Sequence, residues 1–116
     1  MSDTALKITR SERALLRGLV EEAWEAELGA ELEKLFEDFT QWADNGMSAH
    51  ELSDRIHQFH DGPARKIYSL YTSTDPGIAV ARAIAIGFLD EQAIDEQLRA
   101  KLADQIETFR RVNADE

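Results

Sequence analysis

The sequence predicts an all-α fold, a compact single-domain bundle of five or six helices, on three observations. Apolar residues recur at spacings of three and four rather than two. Ser, Thr and Asp stand where helix N-termini need caps, and Gly, Asn and Pro gather at the joints between periodic segments. With 116 residues, of which 43% are apolar, the chain is sized for one hydrophobic core. The expected domain covers residues 1–116, with 1–8 a flexible lead-in and 113–116 a frayed end.

Thr9-Arg10-Ser11-Glu12 has capping-box spacing and opens the first helix. Its apolar residues Leu15, Leu16, Leu19, Val20 and Ala23 cover one face. A second stripe follows in Leu28, Leu32, Leu35, Phe39 and Trp42, with Phe36 and Ala43 beside it. The two stripes centre more than about 90° apart around a helix. Either the chain breaks near Gly29, or one long helix bends and turns its halves towards different neighbours. Asp44-Asn45-Gly46 ends this region, Asn and Gly both suiting a left-handed C-terminal position.

Ser48-Ala49-His50-Glu51 repeats the capping-box spacing and starts a helix through His60, with Leu52, Ile56 and Phe59 inward. Asp61-Gly62-Pro63 is expected to break or sharply kink the chain, Asp61 capping a short helix that carries Ala64, Ile67, Tyr68, Leu70 and Tyr71. Asp75 and Pro76 then read as cap and first position of the next helix. The run Ile78–Leu89 is apolar almost all round, and its alanines favour helix over buried strand. Such a helix belongs in the middle of a bundle, and Ala79, Ala83 and Gly87 would line an edge for close approach. The last helix spans about Asp95 to Val112, with Ile94, Leu98, Leu102, Ile106 and Phe109 facing the core.

Composition excludes several classes. There are no cysteines, so disulfides, thiolate metal sites and a thiol nucleophile are out. The opening Met1–Lys7 lacks the apolar core of a signal peptide, and Ile78–Leu89 falls short of the ~20 residues that span a bilayer. A cytoplasmic location without membrane contact is therefore expected. The formal net charge is −10, concentrated in residues 21–38, where eight acids face Lys34 alone. Such a surface repels phosphate backbones, so nucleic acid is not an expected partner. It is either a solvated face or a docking surface for a basic protein, with Glu21, Glu25 and Glu31 as candidate contacts.

Chemistry has one place to gather, the stretch His57-Gln58-Phe59-His60-Asp61-Gly62-Pro63-Ala64-Arg65. His60 could serve as a general base oriented by Asp61, with His57 nearby and Arg65 holding an anionic group. The structural alternative makes Asp61 a helix cap and Arg65 a partner for a neighbouring acid. His50, Asp54, His57 and Asp61 share a helix face and could ligate zinc or iron. That face lies opposite Leu52, Ile56 and Phe59, which makes it the solvent face; no metal and no cofactor is therefore favoured. Arg82, inside an apolar helix, must either pair, reach the surface, or anchor an anion between helices.

No phosphate-binding loop, zincin helix, basic reading helix or nucleophile elbow is present, which weighs against an enzyme. The sequence points first to an interaction or accessory protein acting as a homodimer through its first forty-five residues. One flat partner cannot cover both stripes, and Glu21, Glu25 and Glu31 would rim an interface facing Arg10, Arg13 or Arg17 of the other chain. The alternatives are a small-molecule or metal-binding protein or enzyme at His57–Arg65, and an acidic inhibitor of a basic partner.

Overall fold

Helix formation begins where Thr9 and Glu12 satisfy each other's backbone. The Thr9 amide donates to Glu12 Oε1 at 2.9 Å, and the Glu12 amide to Thr9 Oγ1 at 3.1 Å. In the computed structural model, which describes residues 7–114, this capping box opens α1, a 34-residue helix from Arg10 to Ala43. The chain does not break at Gly29. A side chain there would meet nothing within 4 Å, so the only cost is glycine's helix propensity, about 1 kcal/mol. α1 ends when Asn45 turns left-handed at φ 66°. The Gly46 amide then donates to Gln41 O at 2.7 Å and the Asn45 amide to Trp42 O at 3.1 Å, a Schellman closure.

α2 spans Ala49–Phe59, with Ser48 Oγ accepting from the Glu51 amide at 3.0 Å. Of the break or sharp kink expected at Asp61-Gly62-Pro63, the break does not occur. His60–Ala64 form a π-helical turn that leads directly into α3, Arg65–Ser73. In an α-helix the Pro63 ring would press on the carbonyl four residues back, and its missing amide would orphan that acceptor. A wider turn removes the demand, so the chain stays helical. Asp61 is therefore inside a helix rather than capping one.

α4, Pro76–Ala85, starts as expected: Asp75 Oδ2 accepts from the Gly77 and Ile78 amides at 3.0 and 3.3 Å. It stops earlier than the apolar run suggests. Gly87 turns left-handed at φ 89°, and the Phe88 amide donates to Ala83 O at 2.9 Å. Gly87 thus closes the helix and does not extend the Ala79–Ala83 edge. A 3-10 turn, Glu91–Ala93, leads to α5, Glu96–Ala114, capped by Asp95 Oδ2 on the Leu98 amide at 3.1 Å.

Every regular element among the described residues is helical. With α2 and α3 joined through the π turn there are four helices, not the five or six expected. No described helix is long and apolar enough to cross a membrane. Helix α5 includes Asn113 and Ala114; residues 1–6 and 115–116 of the expected loose ends lie outside the described residues.

The chain divides into two compact units. In one, formed by the described residues through Ala23 and from Ser73 onward, α4 packs along α5. Ala79, Val80, Ala81, Ala83 and Ile84 are buried, as are Leu98, Leu102 and Ile106 of α5 and Leu16 of α1. Arg110 ties the end of α5 to Glu91 at 2.6 Å. The other unit, Trp24–Thr72, is an antiparallel pairing of the later part of α1 with α2–α3. Arg55 reaches Asp38 at 3.4 Å near one end, and Trp24 meets Tyr68 and Tyr71 near the other. Leu52, Ile67 and Tyr71 are buried here and Phe59 is half-buried, but Ile56, expected inward, is exposed.

Candidate functional site

The histidine junction lies on the outside of Trp24–Thr72. His50, Asp54, His57, His60, Asp61 and Arg65 are all exposed. His57 Nδ1 lies 3.0 Å from Ser53 O, its own helix's carbonyl one turn back. His60 Nδ1 sits 3.4 Å from Asp61 Oδ1, with both side chains mostly in solvent. An exposed pair at that distance contributes little, because water screens it and two side chains must be ordered. Among the described residues, no group of three or more His, Cys, Asp or Glu side chains is placed to hold a metal ion. The candidates share a face without converging on a point.

The acids of residues 21–38 divide by helical phase into three environments. Glu21 and Glu25 are exposed, with Glu22, Glu33 and Glu37. Glu31 is half-buried and pairs with Lys34 at 2.9 Å. Glu27 is buried, and Tyr71 donates its hydroxyl to Glu27 Oε1 at 2.7 Å. Trp24 stacks on the same tyrosine ring, with centroids 6.1 Å apart and planes 12° from parallel. Tyr68 meets the indole edge-on at 5.9 Å. The buried hydroxyl–carboxylate bond, with Trp24 packed on the Tyr71 ring, holds α1 against α3, because a buried polar group is costly unless it is hydrogen-bonded. Sequence gave no warning of this: Glu27 is one acid among eight, and only the folded pairing tells it from Glu25.

Arg82 is half-buried and has an interaction partner, so it is not an isolated charge within the apolar helix. Helix α1 carries the most conspicuous surface. Leu32, Phe36, Phe39 and Trp42 are exposed by 45, 70, 39 and 45%. They follow one another at spacings of four, three and three, so they form one strip beside the half-buried Leu28 and Leu35. The second sequence stripe is therefore real, but only part of it is covered.

Electrostatics sharpen at the start of α1. Glu12 is buried beside Lys101 of α5, with Nζ to Oε1 at 2.6 Å. The Lys101 hydrogen bond, followed by the Thr9 amide, holds the Glu12 carboxyl below its ordinary value. Lys101 also donates to Lys7 O at 2.8 Å, which pins the chain ahead of α1.

The described residues define an all-helical protein with an exposed strip of large apolar side chains on α1. Comparison with protein-family models, with curated proteins and with solved structures found no match.

Proposed function

We propose that the protein is an interaction or accessory protein that works as a homodimer, with Leu32, Phe36, Phe39 and Trp42 of α1 at the contact. The exposed strip itself carries this reading. Four large apolar side chains in one run make a patch of several hundred Å², about the largest that monomers tolerate. A two-fold contact needs only one self-complementary patch, and two α1 strips laid against each other supply it. Aromatic side chains are the usual anchors of such interfaces. Light scattering behind a sizing column tests it. The wild type should run at twice the 13.1 kDa chain mass across the micromolar range, and Leu32→Glu/Phe36→Glu at the chain mass with unchanged helix content. A wild type at the chain mass throughout overturns it.

The exposed trio Glu21, Glu22 and Glu25 favours a second reading, an acidic docking surface for a basic protein. Such binding would weaken steeply with salt, whereas the apolar contact would not. The exposed and scattered side chains of the His57–Arg65 junction support neither reading, so no chemistry is proposed there.

A further inference from the structure

We infer that the cavity bounded by the first turns of α1, the start of α4 and the middle of α5 binds a small organic anion, a phosphate- or carboxylate-bearing molecule with an apolar body. The cavity has a volume of about 630 Å³, within the range of small-molecule sites. Its charged lining is Lys7, Arg13, Arg17 and Lys101 against Asp75 alone. Four of the chain's thirteen basic residues thus meet in one hollow of a protein whose net charge is −10. One of the four, Lys101, is paired with Glu12, which leaves Lys7, Arg13 and Arg17 to set the charge of the hollow.

The pairing of these charges decides which are available. Asp75 is committed to the Gly77 and Ile78 amides, and Lys101 to Glu12 and Lys7 O. Arg13, Arg17 and Lys7 are exposed, and none of the three forms an ion pair among the described residues. Arg13 and Arg17 stand one turn apart on α1, so two guanidinium forks can approach one ligand group. Planar forks of this kind bind phosphate and carboxylate oxygens bidentately. Leu16 and Leu102, both buried, close the cavity on its inner side and give an apolar body something to rest against. The site is independent of the α1 strip, since none of its residues lies beyond Arg17 on that helix.

Titration calorimetry on the full chain with 1-naphthyl phosphate, 1-naphthoate and inorganic phosphate tests this. One of the naphthyl compounds should bind saturably at one site and at least tenfold more tightly than inorganic phosphate. Which of the two binds more tightly identifies the anionic group. Arg13→Gln/Arg17→Gln should weaken that binding tenfold or more while leaving the circular dichroism spectrum and the wild-type mass in solution unchanged. Arg10→Gln, an exposed base of the same helix outside the lining, should leave affinity unchanged. No saturable binding of either naphthyl compound, or affinity that survives the double substitution, overturns the site. So does equal loss in Arg10→Gln, which would mean unspecific charge attraction.

Discussion

Helices Pro76–Ala85 and Glu96–Ala114 pack as a pair, and so do the helices of Trp24–Thr72, yet the two pairs treat their apolar residues differently. The first pair is built from small and branched aliphatic side chains, and α4 buries six of its ten residues. The second carries the tryptophans and both tyrosines, and leaves Phe36 and Tyr68 largely, and Trp42 nearly half, in solvent. Small residues let two helices come close enough to cover each other. Large ones on a long helix reach past the partner they have. The first pair thus has the means to stabilise itself, while the second retains surface for something else.

The largest expected effect tests that contrast directly. Leu98, fully buried, should cost about 2–5 kcal/mol when replaced by Ala, through lost transfer energy and a residual cavity. Phe36→Ala, at the far larger ring but in solvent, should change monomer stability by no more than about 0.5 kcal/mol. Urea unfolding at concentrations where the chain is monomeric reads both. Comparable losses would erase the distinction between the two regions.

A smaller effect separates two glycines. Gly87 sits at φ 89°, so Gly87→Ala should cost about 1–2 kcal/mol. Gly62, within the π turn and not left-handed, has nothing within 4 Å of its would-be side chain. Gly62→Ala should stabilise by about 0.5–1 kcal/mol, shown by a rise in melting temperature. A loss there would mean the junction needs its glycine for more than helix continuity.

The subtlest expectation concerns pH. Because Lys101 and the Thr9 amide lower the Glu12 pKa, their stabilising contribution is full above the ordinary carboxylate value of about 4.3. It is lost as pH falls through the lowered folded value. Glu12→Gln should therefore be less stable than wild type near neutrality, with the two converging in acid. Melting temperatures from pH 7 downward would show it; a constant separation contradicts it.

Much of the fold was legible because its signals are local. The caps at Thr9, Ser48 and Asp75 lie within three residues of the amides they satisfy. Gly62-Pro63 misled because the rule for proline describes α-helical geometry, and a π turn escapes it. The site features were less accessible. Glu27 is set apart by its burial against Tyr71, 44 positions away, and the cavity joins Arg13 to Lys101 across most of the chain. The histidines lie close along the chain, yet their side chains stand exposed without converging, and nearness in sequence is not a site.

The π turn also settles an arithmetic problem between its two flanks. Carried through an unbroken α-helix at about 100° per residue, Tyr71 would point about 100° away from Leu52, and Ile67 about 60° away. Yet all three are buried in the same unit. A single wide turn absorbs one residue from the count, which returns Tyr71 to Leu52's side and brings Ile67 to within about 40° of it on the other. Two amphipathic segments written out of step are thereby read in step, without a loop between them. His60–Ala64 is the chain's metronome correction, and its histidine and aspartate are the outward side of a beat inserted for the sake of the inward one.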